Sequence, residues 1–376
     1  MNTDKHRWSK MACVLAIALF MLLPAFAHHA PDPRVSPKAK AQAAPGGKRD
    51  AAGISGQGKL RFRVLYTSER LPPQAKEAAL NAAHGGFAVD RRPGKGETYF
   101  ALPGAGILQI SADLKTIRVL ETPENIKKVN LHNTTLWQAA DGTPYLVFPA
   151  NGAGKIFTTT LEGKLVHTLD APTGDEQFEP AEINNYFIGK GHFAPTDVAY
   201  LDGLYYVATG YSPLDYVLTA RVSPGGPVRV VWSDLAFGGK GDAPNQFQTG
   251  HGITVPPMKK RLDVADRPRS EIRRFTRYGH YLSSLKMPRG SLPCDIDYLD
   301  RYAVVAALDG PDRSKGAPIY LLEDDQLVST IMPKEDLGLE KFAHNHNAVL
   351  RKIGNKLYII VQAWNPGDFA ILEQVD

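Results

Sequence analysis

Cysteine is almost absent. Of the two in 376 residues, Cys13 lies in an apolar run near the start of the chain, so beyond that run Cys294 has no partner for an intrachain disulfide, even in an oxidising compartment. Charge of one sign is not in excess either. The formal net charge is +5, of which Asp4, Lys5, Arg7 and Lys10 supply +2, a balance too mild to call for nucleic acid. Long runs of helical period are missing, which argues against a bundle or a doubly wound sheet. No Gly-x-Ser-x-Gly elbow and no P-loop is found. The glycine-rich loop Phe237 to Phe247 is followed by no helix pattern, so it is not read as a phosphate cradle.

One continuous apolar run is present, Met11 to Leu23. It follows Lys5, Arg7 and Lys10 and precedes Ala25-Phe26-Ala27, the layout of an export signal cleaved after residue 27. Pro24 interrupts the run, which falls short of the roughly 20 apolar residues of a spanning helix; an uncleaved anchor is the alternative. The expectation is a periplasmic or secreted protein, not inserted in a membrane once cleaved. Residues 28–58 are rich in Ala, Pro, Gly and Lys and poor in large apolar side chains, so they read as a flexible tether. The folded domain is expected over 59–376 and, with 43% hydrophobic content, it has enough apolar surface for a sizeable core.

Past Lys59 the pattern is short β-rich runs between Gly, Pro, Asp and Asn turns, as in Leu204 to Ala208 and Leu357 to Gln362. A phrase recurs in which a polar residue or a proline leads into an alternating apolar strand. It opens at His84, His132, Pro195, His251, Pro293 and His346. Six openings at spacings of roughly 40 to 60 residues suit an all-β, six-bladed β-propeller with four strands per blade. The last blade is one strand short, with runs near His346 to Leu350, Lys356 to Ala363 and Phe369 to Gln374. The spare strand Leu60 to Tyr66 is predicted to complete it and leave no bare edge.

In a propeller the first strand of each blade lines the axis, so the residues opening blades two, four and six sit about 120° apart around the ring. Those residues are His132, His251 and His346. Three neutral imidazoles with a fourth position open form the arrangement of a catalytic zinc site. His84 breaks the alternation and is read as a turn residue, with a place beside the ligands or facing the substrate as the alternatives. His344, two positions before His346, offers a further imidazole that spacing alone does not place. Cys294 is expected as a small buried side chain beside the channel. The arginines 267, 269, 273, 274 and 277 are expected on a solvated outer face.

Blade four, with its loop at 237–247 and strands near 262–267, 271–275 and 281–285, resembles the NHL repeat. A sharper likeness lies in His192-Phe-Ala-Pro-Thr-Asp-Val-Ala199, Tyr206-Val-Ala-Thr-Gly-Tyr211, Gln246-Phe-Gln-Thr-Gly-His251 and Val264-Ala-Asp-Arg267. These segments resemble peptidyl-α-hydroxyglycine α-amidating lyase, a six-bladed propeller family that cleaves the carbinolamide left by peptide glycine hydroxylation. The resemblance covers about two-thirds of the chain and is best between His192 and Phe275. It implies that His132, His251 and His346 hold zinc, that Tyr211 is the catalytic tyrosine, and that Arg267 is its partner.

The chain departs from that pattern in several places. Asn347 stands where the family places an acidic residue contributing to a structural calcium, which argues against calcium here. His344 replaces a methionine, and the turn Gly210-Tyr211-Ser212-Pro213-Leu214-Asp215 lacks the family's Asn and Arg. The first-blade arginine has no clear counterpart: Ala101 to Gly106 holds no charge, although Arg91 and Arg92 lie upstream. Three functions follow: a zinc-dependent lyase for carbinolamide C–N bonds, a metal-dependent lactone or ester hydrolase, and a non-enzymatic NHL-type binding scaffold. Each places a small-molecule or peptide ligand in the central channel of a monomer.

Overall fold

Each blade grows from hairpins whose turns are set by residues that tolerate left-handed backbone, such as Asp202-Gly203 between Leu201 and Leu204. The computed structural model describes residues 53–375. The export signal 1–27 and most of the tether lie outside the described residues. Blade three shows the plan, with strands Asp197–Leu201, Leu204–Ala208, Tyr216–Val222 and Val230–Gly238 hydrogen-bonded in chain order. The other innermost strands are Phe87–Val89, Thr135–Gln138, Gly250–Thr254, Asp297–Leu299 and His344–Ile353. Helices are minor; Ala181–Ile188 is one of three short α-helices among the described residues.

Alternation explains how the blades pack. Successive side chains of a strand point to opposite faces of the sheet, and here both faces are covered. Tyr205 and Val207 turn to blade two, joining Trp137 and Val147, whereas Tyr206 and Ala208 turn to blade four and meet Leu262 and Val264. Six separate apolar clusters fill the contacts between neighbouring blades. Six interfaces among six blades mean that the ring is closed.

The closure is the predicted one. The strand Leu60–Thr67 runs antiparallel to Asp368–Val375, with Arg61 opposite Val375 and Phe62 opposite Gln374. One more strand precedes it: Ile54–Gln57, inside the segment read as tether, pairs with Leu60–Arg63. Its anchor is polar rather than apolar, which is why composition did not reveal it. Ser55 donates to Asp336 at 2.7 Å, and the Gln57 side chain bonds both backbone groups of Thr330 at the edge of blade five.

Candidate metal and catalytic site

His132, His251 and His346 reach the axis from three alternate blades, and all three are buried. Their ligating nitrogens lie within 4.8 Å of one another. Backbone carbonyls fix two of the rings. Nδ1 of His132 faces the Thr196 carbonyl at 2.5 Å and Nδ1 of His251 faces the Cys294 carbonyl at 2.8 Å. A carbonyl only accepts, so each Nδ1 carries the proton and each Nε2 keeps its lone pair. His346 brings its own Nε2 to 3.1 Å from that of His132. The nitrogens of a tetrahedral zinc site, each about 2.0–2.1 Å from the metal, stand about 3.3 Å apart.

One polar atom here is orphaned in a way that an ion would resolve. Nε2 of His251 is buried without a hydrogen-bond partner, a costly state for a nitrogen shut away from water. Burial, the foremost cause, holds all three histidines well below their usual pKa. They are neutral at physiological pH, the form a metal requires. The three residues can therefore hold a metal ion, with donors of the nitrogen type that zinc and its neighbours in the first transition row accept.

Tyr211 stands against this layer, its ring edge-on to His132 and His251 with centroids 5.6 and 5.4 Å away. Gly210 before it packs so closely on the Gly250 carbonyl that a Cβ would collide, which lets the turn press Tyr211 toward the axis. Arg267 follows the second strand of blade four, and its Nη1 donates to Tyr211 Oη at 2.7 Å. Burial raises the tyrosine pKa and Arg267 opposes that rise without overcoming it. The guanidinium alone therefore leaves Tyr211 a phenol. The other half of the Arg267 fork donates from Nη2 to Cys294 Sγ at 3.1 Å.

Several neighbours take places that local sequence does not reveal. His84 is not merely a turn residue. Its ring stacks on Trp364, lies 4.9 Å from that of His346, and accepts from Asn130 Nδ2 at 2.9 Å. His344 pairs instead with Asp309, Nδ1 to Oδ1 2.8 Å, and that hydrogen bond raises its pKa. Irregular pairing on either side of Asn345 separates it from His346. The expected solvated arginine face is also corrected. Arg267, Arg273 and Arg274 are buried, because carboxylates meet the last two: Glu271 for Arg273, Asp263 and Asp325 for Arg274.

Next to this layer the axis carries oxygen in place of imidazole, from the blades between those of the histidines and from Asn347, the residue after His346. Asp197 accepts from the backbone of Ile253 and Val198, both at 2.8 Å. Asp295 accepts from Ile296, Thr254 and Asn347, and Asn347 in turn accepts from Phe87. Burial and then the charge of Asp295 raise Asp197 well above the usual carboxylate range, and burial pushes Asp295 up to about 7. Beyond them the channel widens into a cavity of about 700 Å³ walled by Phe87, Leu136, Tyr200, Ile253 and Tyr298.

No family model matches the chain, and no curated relative matches it. Among solved structures it is similar in shape to virginiamycin B lyase from Staphylococcus aureus, at 15% identity and a TM-score of 0.46, covering 79% of this chain and 98% of that one. It is likewise similar to a gluconolactonase from Xanthomonas campestris, at 17% identity and a TM-score of 0.49, covering 90% and 97%. A chain of a mitotic checkpoint complex gives 11% identity and a TM-score of 0.49, covering 91% and 100%.

Proposed function

We propose that this chain is an exported, monomeric zinc-dependent carbon–nitrogen lyase acting on carbinolamides of the α-hydroxyglycine type. The observation that carries the reading is the convergence of three histidine nitrogens with the Arg267–Tyr211 pair, Nη1 to Oη 2.7 Å, at one end of the axis. A zinc ion bound there would act as a Lewis acid on the substrate hydroxyl and lower its pKa. His132, His251 and His346 would hold it, with their protons parked on Nδ1 and, for two of them, shared with backbone carbonyls. Tyr211 is the base. As a phenolate it takes the hydroxyl proton, the carbonyl of an aldehyde forms, and the C–N bond breaks with its electron pair leaving on nitrogen. That nitrogen gains a proton and departs as a primary amide, while the remaining fragment is glyoxylate.

Because burial outweighs Arg267 at Tyr211, the phenolate needs the further positive charge of a cation on the histidines. The reading thus demands metal for both substrate and base. Arg267 then balances the phenolate, its natural counter-charge in a site where its two bonded partners are otherwise neutral. The same three nitrogens would also serve a lactone or ester hydrolase; the buried Arg–Tyr pair favours the lyase, since hydrolysis at such a site needs activated water and no anionic phenol. A binding scaffold would give no reason for an orphaned imidazole nitrogen at the axis.

The deciding experiment has two steps. Protein exported under zinc supply is analysed for metal, with about one zinc per chain expected, and is then offered an N-acyl α-hydroxyglycine. Release of glyoxylate and primary amide in equal amounts is the expected outcome. A metal-free wild-type protein would overturn the site, and a zinc-loaded protein that releases no glyoxylate would overturn the lyase.

A further inference from the structure

Cys294 follows Pro293 at the opening of blade five, where the alternate-blade pattern puts no histidine. It nonetheless lies between the blades of two of the three imidazoles and touches the surroundings of both. Its carbonyl oxygen accepts from His251 Nδ1 at 2.8 Å. Its thiol donates to the carbonyl of Asn345, the residue before His346, at 3.5 Å. Its sulfur accepts from Arg267 Nη2 at 3.1 Å, while Nη1 of the same guanidinium holds Tyr211. The side chain is fully buried.

We propose that Cys294 is a positioning residue of this site, its sulfur locking the plane of the Arg267 guanidinium so that Nη1 stays on Tyr211 Oη. The argument rests on the geometry of the fork. A guanidinium is a rigid plane whose orientation is set by the bonds at its edges. Nε of Arg267 is buried with no hydrogen-bond partner, so the plane is held by two terminal contacts alone, one to Tyr211 and one to Cys294. Loss of the sulfur leaves a plane fixed at a single point, free to swing about the Tyr211 bond. A cysteine suits the role because its sulfur accepts from Arg267 while its proton goes to Asn345, the only polarity that serves both neighbours. The sulfur thus ties blade five to blade four, and the backbone carbonyl of the same residue ties it to the His251 ring.

This inference rests on the lyase reading only for its kinetic arm, so the test has two arms. In the full-length chain, guanidinium nitrogen NMR of Arg267, assigned by Arg267→Lys, is expected to show separate Nη signals from hindered rotation in wild type. Averaged signals are expected in Cys294→Ala, and separate ones again in Cys294→Ser. Signals that stay separate in Cys294→Ala overturn the proposal, whether or not the protein is a lyase. In the kinetic arm, Cys294→Ala is expected to lower kcat on an N-acyl α-hydroxyglycine about tenfold to a hundredfold, with KM and zinc content unchanged and most of the loss recovered in Cys294→Ser. Unchanged kcat, or equal loss of zinc in both variants, overturns it as well. A wild type that turns over no carbinolamide sinks the lyase reading alone, and the NMR arm still decides the role of the sulfur.

Discussion

Two layers of the axis, carried mainly by alternate blades, solve opposite problems. In the upper layer His132, His251 and His346 converge, and the Nε2 lone pair of His251 has no partner among the described residues. In the lower layer each carboxylate oxygen of Asp197 and Asp295 has a donor, and most of those donors belong to a neighbouring blade. The first layer is unfinished without an added group; the second is a set of clips between sheets that otherwise share no backbone ladder. Convergent polar groups at a propeller axis therefore do not by themselves mean function. What separates a site from a clasp is whether the hydrogen-bond inventory closes.

The sharpest way to break the contrast is at the upper layer. His251→Ala should abolish zinc binding and turnover together while the thermal midpoint of the metal-free protein stays near that of metal-free wild type, as elemental analysis and a melting curve would show. Tyr211→Phe should keep zinc at about one per chain yet lower kcat by about 10²- to 10⁴-fold; a variant with full turnover would remove the base. In the lower layer the signs reverse. Asp197→Ala leaves the buried amides of Ile253 and Val198 without an acceptor, at about 1–3 kcal/mol each, so denaturant unfolding should show a loss of about 2–6 kcal/mol with zinc content intact.

The mildest effect is expected from pH. Asp295 titrates near 3.9 in the unfolded chain and at about 7 when folded. Between those values the folded form keeps a proton that the unfolded form has released, so stability falls as pH rises through the window. Asp295→Asn carries no such proton, and its stability should change less between about pH 4 and 7, by up to a few kcal/mol. An unchanged slope would show that Asp295 is ionised in the folded protein.

The parts of this molecule legible in its sequence are those governed by local periodicity. Six openings onto alternating strands, four at histidine and two at proline, mark the blades, and alternation around a ring brings His132, His251 and His346 together. The closing strand Leu60–Thr67 was visible because its apolar residues had no other blade to join. What stayed hidden depends on partners far apart in the chain. Burial of Arg274 requires Asp325, 51 residues on; the strand Ile54–Gln57 is held by polar bonds to Thr330 and Asp336; and the contact of Cys294 with Arg267 depends on how two blades meet. His84 was read as a turn because one histidine at a strand start carries no signal of the aromatic stack formed by Trp364, 280 positions later in the numbering.

The seam between Leu60–Thr67 and Asp368–Val375 also constrains the order of events at the ribosome. Arg61 leaves the exit tunnel long before Val375, its partner, has been translated. Until then Leu60 and Phe62, both buried in the finished ring, belong to a strand with no mate, whereas hairpins such as Leu204–Ala208 with Tyr216–Val222 can pair as soon as they emerge. Non-local pairing is the slow part of β-sheet assembly. Closing the ring is thus the last step of this fold, and a chaperone that shelters nascent strands would find its client in Leu60–Thr67.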